Sequence, residues 1–141
     1  MSAHLLPLLA ALTLAGCESK PAFQAPAGPP ARVALDVRLP VDTIGTWTTD
    51  RFSQELALQL AKYNVVVVGR HEVAPTVARV DLGLWGYRSA IDVYVERDGS
   101  KTYAGRVVLP DTTQSTIEAS AQLVAPLVAR DAWGLRATRS P

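Results

Sequence analysis

One cysteine, one methionine and two histidines are all that this chain of 141 residues holds of sulfur and imidazole. A disulfide needs two cysteines, so none forms within the chain. His4 lies at the extreme N-terminus, which leaves His71 alone downstream. A zinc site takes three or four ligands, so neither a metal nor another cofactor is expected. His71 beside Glu72 has the chemistry of a general base. No Ser or Cys nucleophile is visibly paired with it, and an ordinary loop histidine is the expected reading. No G-x-S-x-G, P-loop or G-x-G-x-x-G motif occurs. Lys and Arg number 14 against 13 Asp and Glu, a net charge of +1. That balance lacks the basic excess that nucleic acid demands. No apolar run reaches the ~20 residues of a membrane span. These absences point away from an enzyme and from a nucleic-acid binder.

What the chain does have is concentrated first at its N-terminus. "LLPLLAALTLAG" (Leu5–Gly16) carries no charge and ends in small residues. It is too short to cross a bilayer but has the length of a signal-peptide core. Met1–His4 carries no Lys or Arg. Either the amino terminus and His4 supply the positive charge a signal needs, or the true start lies upstream. The single cysteine, Cys17, follows at once. "ESKPAFQAPAGPPA" (Glu18–Ala31) then holds Pro21, Pro26, Pro29 and Pro30. So many prolines exclude a helix or a paired strand and predict a semi-extended tether. The expected organisation is a signal at 1–16, Cys17 and a tether at 17–31, one folded domain at 32–135 and a loose tail at 136–141.

Within the domain, "RVALDVRLP" (Arg32–Pro40) alternates, with Val33, Leu35, Val37 and Leu39 on one face. That is a half-buried strand. Phe52, Leu56, Leu60 and Tyr63 then recur at helical spacing, with Thr49 expected as N-cap and Asn64 as C-cap. "VVVV" (Val65–Val68) reads as a strand buried on both faces. "ARVDLGLWGY" (Ala78–Tyr87) and "IDVYVE" (Ile91–Glu96) alternate again. Asp98-Gly99 is a tight hairpin turn into "KTYAGRVVL" (Lys101–Leu109). A capping box at Ser115 and Glu118 opens a last helix. Ile117, Ala121, Val124 and Val128 form its stripe, and Pro126 should kink it. The expected fold is α+β, a two-layer sandwich in the order β-α-β-β-β-α. Two helices would cover one face of a mixed four-stranded sheet.

The opposite face holds Asp36, Asp81, Asp92 and Glu96 among Arg32, Arg38 and Arg79, which should pair across strands. Trp85, Tyr87 and Tyr94 also project there, beside Arg79. Aromatics among charges suit a protein partner, and these four residues are the candidate docking set. The competing reading is that cross-strand aromatic pairs merely stabilise the sheet. Trp47 and Trp133 are expected to cap the edges of the core.

Leu14-Ala15-Gly16-Cys17 resembles the lipobox of bacterial lipoproteins. The resemblance implies cleavage after Gly16 and a lipid on Cys17, which anchors the chain on the periplasmic side. Glu18 follows where enteric inner-membrane lipoproteins carry Asp, which leans toward the outer membrane. "TWTTDRFSQELALQLAKYNVVVV" (Thr46–Val68) and "APTVARVDLGLWGYRSAIDVYVERDGSKTYAGRVVL" (Ala74–Leu109) resemble auxiliary lipoproteins of ABC-type transport systems. They share parts of the pattern with the lipopolysaccharide-assembly lipoprotein and with TolB N-terminal/CsgG-like domains. The implied function is that of a lipid-anchored periplasmic accessory protein, docking on an envelope protein complex in assembly or lipid transport. A periplasmic binding module for a small amphiphile is the alternative.

Overall fold

The computed structural model describes residues 23–39, 47–69, 74, 76–85, 88–109 and 114–135. Side chains at 84, 85, 88, 89 and 114–116 lie outside that description, as do Cys17, His71, Glu72, Tyr87 and the tail at 136–141. The elements are β1 (Ala31–Arg38), α1 (Thr49–Ala61), β2 (Val65–Val68), β3 (Thr76–Trp85), β4 (Arg88–Arg97), β5 (Ser100–Leu109) and α2 (Gln114–Ala132).

The sheet has five strands in the order β2-β1-β3-β4-β5. β1 runs parallel to both β2 and β3, and β4 and β5 complete an antiparallel meander. The expected four-stranded β-α-β-β-β-α order is therefore one strand short. All five extended stretches of the sequence find a neighbour, as backbone donors and acceptors require. β1 and β2 flank α1 and lie parallel, which makes β1-α1-β2 a βαβ crossover.

Both helices pack on one face, α1 over β1 and β2, and α2 over β4 and β5. Phe52, Leu56 and Leu60 from α1 and Ile117, Ala121, Val124 and Val128 from α2 are at most 1% exposed. They meet Val33, Val80, Leu82, Ile91 and Val93, the inward set of the alternating strands. Trp47 is fully buried and stacks on Phe52, ring centroids 5.2 Å apart, so it belongs to the core and not to its edge. Its indole Nε1 has no partner among the described residues. Trp133 is half-buried, and its Nε1 donates to the Tyr63 carbonyl at 2.9 Å.

Four local expectations shift. Thr48 and not Thr49 caps α1: its hydroxyl accepts from the Arg51 amide at 3.1 Å. Lys62 is the C-cap, and Asn64 stands two residues beyond with φ of 55°. β2 is an edge strand covered on one face only: Val65 is fully buried, while Val66, in register with Arg32 on the uncovered face, is 45% exposed. Helix α2 starts at Gln114, which places Ser115 inside the first turn, and it runs on through Pro126. Asp98 and Gly99 both have positive φ, 52° and 81°, as a type I′ hairpin turn needs.

The chain's direction gives the domain two ends. β1 begins beside the start of β2, with Ala31 opposite Val65, and the β4–β5 turn lies at that same end because Arg97 pairs with both Thr76 and Ser100. Both helices finish there: Trp133 reaches Tyr63, and the Arg97 guanidinium donates to the Asp131 carbonyl at 3.3 Å. We call this the proximal end. The distal end holds the start of each helix, the end of β3 at Trp85 and the end of β5 at Leu109.

Candidate functional site

The uncovered face of the sheet is built in cross-strand rows. One runs Asp36, Arg79, Tyr94, Tyr103 across β1, β3, β4 and β5, and the next runs Arg38, Asp81, Asp92, Arg106. Strand alternation puts all eight on one side of the sheet, away from the helices. The ion pairs within this patch follow two geometries. Arg38 and Asp36 pair at 2.9 Å along β1, and Arg79 and Asp81 at 3.0 Å along β3. Cross-strand pairing, the geometry expected of all of them, occurs for Asp92, which takes two bonds from Arg106 at 2.8 and 3.1 Å. Residues two apart on a strand share a face, so a long guanidinium reaches its own neighbour as readily as the next strand.

Tyr103 completes the Asp92 cluster by donating its hydroxyl to the same carboxylate at 2.9 Å. The bonded Arg106, with Tyr103 second, holds the Asp92 carboxyl below the usual carboxylate range although partial burial opposes the shift. Burial and then the bond to Asp92 push the Tyr103 phenol up. The Arg106 guanidinium is likewise raised by its bond to Asp92. An acid catalyst at neutral pH needs a carboxyl shifted the other way. Asp81 and Asp92 are register neighbours, yet each is held by its own arginine.

Tyr94 and Tyr103 form a tilted ring pair with centroids 5.3 Å apart, and the Lys101 ammonium lies 4.7 Å from the Tyr94 centroid. Tyr103 is 49% exposed. The pair depends on a bulge: Val93 opposes Gly105 and Tyr94 opposes Tyr103, which leaves Ala104 as the extra residue. Strict alternation back from Leu109 and Val107 would have turned Tyr103 and Lys101 toward the helices. The bulge reverses that phase, and Gly105 permits it with φ of 152°. A Cβ on Gly105 would also come within 3.2 Å of Leu127 on α2.

Of the candidate docking residues, Arg79 and Tyr94 are register partners on β3 and β4. The backbone of Trp85 lies six residues beyond Arg79, or about 20 Å along the strand. Its side chain lies outside the described atoms, and Tyr87 and Cys17 lie outside the described residues. Tyr103, Lys101 and Arg106 were absent from the sequence-based set. Gly105 between them was the signal, since a glycine inside a strand pattern marks a bulge.

No protein-family model matches the chain, and no curated protein is similar to it in sequence. Among solved structures, it superposes on TolB from Acinetobacter baumannii with a TM-score of 0.47 at 11% identity, covering 76% of this chain and 29% of that one. A PelC dodecamer from Paraburkholderia phytofirmans matches with a TM-score of 0.43 at 16% identity, over 77% of this chain and 96% of that one. Uncharacterized lipoprotein B from Nitrosomonas europaea matches with a TM-score of 0.38 at 9% identity, over 84% and 99%. This chain thus spans less than a third of the TolB chain.

The inner layer offers little room for a ligand where it is described. Its side chains interlock between sheet and helices at 8% exposure or less. A cleft of about 320 Å³ opens instead at the proximal end, lined by Arg97, Asp98, Ser100, Thr102, Asp131 and Gly134 among others. Its lining is mixed, about as polar as apolar, and it is open to solvent, unlike the enclosed apolar pockets that hold amphiphiles.

Proposed function

We propose that the chain is a lipid-anchored, non-enzymatic accessory protein of the cell envelope that docks on a protein partner through the uncovered sheet face. One observation carries the reading: a tyrosine pair, half-buried Tyr94 with exposed Tyr103, set among charges on a face that neither helix covers. Tyrosine offers large contact area at small entropic cost, and the surrounding ion pairs give a partner polar register. The lipobox at Leu14–Cys17 supports attachment through Cys17, and Glu18 supports the outer membrane. The packed inner layer favours docking over enclosure of a small amphiphile. Envelope assembly or lipid transport is the setting that the sequence resemblance suggests.

The test is a crosslinked pull-down of the native lipoprotein from membranes. Wild type, Tyr94→Ala, Arg79→Ala and Trp85→Ala are compared at equal expression. Recovery of a defined partner should fall severalfold for Tyr94→Ala with thermal unfolding unchanged. Equal recovery from all four proteins would remove the sheet face from the reading. A Cys17→Ser variant that still pellets with membranes would remove the anchor.

A further inference from the structure

The segment ahead of β1 is seated on the proximal end of the domain. Phe23 stacks on Tyr63 with centroids 4.8 Å apart, and the Arg130 guanidinium lies 5.4 Å from the Phe23 centroid. The Asn64 side-chain amide donates to the carbonyls of Pro26 and Gly28, both at 3.1 Å, while the Ala31 amide donates to the Asn64 carbonyl at 3.0 Å. Asn64 makes these bonds from a left-handed backbone, a conformation asparagine tolerates better than most residues. Residues from the turn between α1 and β2 and from α2 thus fix where the chain departs from the domain.

That departure point has a consequence for an anchored protein. Phe23 is six residues from Cys17, a span of about 20 Å at most even when fully extended. β3 alone carries the distal end roughly 30 Å away from the proximal one. Charge is distributed in the same sense. Arg32, Lys62, Arg97, Lys101 and Arg130 lie at the proximal end against Glu96, Asp98 and Asp131. Five of the ten described Lys and Arg therefore gather there, but only three of the nine described Asp and Glu, which leaves that end net positive.

We infer that the proximal end faces the membrane that holds the anchor, its cations on anionic headgroups, while the seated segment Phe23–Pro30 sets the domain's orientation. The inference rests on the lipid-anchor reading above. Juxtamembrane cations are drawn to anionic lipid surfaces within a Debye length. In this orientation the Trp85 end of β3 and the start of both helices lie away from the bilayer, and the sheet face stands edge-on to it, open to a partner from the side.

The test uses the full lipid-modified chain in vesicles of phosphatidylethanolamine and phosphatidylglycerol that carry a headgroup quencher. Single cysteines are introduced at Lys62→Cys or Asp50→Cys, both exposed and at opposite ends of α1, about 18 Å apart. Cys17 is blocked by its lipid. A fluorophore at position 62 should be quenched severalfold more strongly than one at position 50. Equal quenching, or stronger quenching at 50, overturns the orientation. Phe23→Ala combined with Asn64→Gly removes the stack and the amide bonds while keeping the backbone freedom at 64. It should bring the two signals together with the protein still in the pellet; a contrast that persists overturns the role of the segment. Exchange of phosphatidylglycerol for phosphatidylcholine should weaken the contrast, and an unchanged contrast overturns the headgroup contact. A Cys17→Ser chain that stays with vesicles of phosphatidylcholine alone, where no anionic headgroup can hold it, sinks the anchor reading itself, which the quenching data by themselves do not address.

Discussion

The two faces of one sheet share the same strands and differ in everything else. On the covered side Val33, Val80, Ile91 and Val93 are at most 1% exposed against two helices. On the open side the same strands carry Arg79, Asp81, Asp92 and Tyr94, held by bonds and ring contacts from one side chain to another. Hydrophobic transfer acts on the first face and gives roughly 25 cal/mol per Å² removed from water. Screened electrostatics act on the second and give little net stability. Mutations on the covered face should therefore change folding, and those on the open face should change binding.

The sharpest way to break this comparison is Leu56→Ala. The side chain is fully buried at the middle of α1, so the loss should be about 2–5 kcal/mol, read as a lower denaturant midpoint with an unchanged slope. An unshifted midpoint would mean that the covered face is not the source of stability. Gly105→Val tests the junction between the faces. It demands a strained φ and meets Leu127, so it should cost about 1–3 kcal/mol by the same measurement. It should also disturb the tyrosine pair, visible as a change in near-ultraviolet circular dichroism.

Tyr94→Ala should cost less than about 1 kcal/mol in folding. A larger loss would make the tyrosine pair structural. Asp92→Asn sharpens the electrostatic side. The folded carboxyl sits below its unfolded value, so its contribution to stability is present above the ordinary carboxylate range and is lost as pH falls through the lowered value. The midpoint gap between wild type and Asp92→Asn should accordingly narrow on acidification from neutrality to about pH 3. A gap independent of pH would remove the ion pair from the account.

The alternation of polar and apolar residues carried much of this in the sequence. Val80 and Leu82 facing inward, Arg79 and Asp81 outward, and the helical stripes of Phe52–Leu60 and Ile117–Val128 are all found as read, while Tyr63 is buried from the turn beyond its helix. The candidate site was legible only in part. Tyr94 and Arg79 were visible because β3 and β4 keep strict alternation. Tyr103 and Arg106 were not, because one bulge residue changes the phase of β5 between them.

The sequence by itself determined the periodic part: which residues form strands, which form helices, and which side of β1, β3, β4 and the two helices is apolar. Those features follow from repeats of 2 and 3.6 residues, and a local pattern is enough to specify them. Pairing across long separations was decided only in the tertiary structure. It turned Val66 to the uncovered face, gave Asp92 its arginine from β5, and seated the proline-rich segment on Tyr63 and Asn64. Each of these contacts joins parts of the fold whose proximity depends on the whole sheet closing, and no window of sequence contains both partners' surroundings.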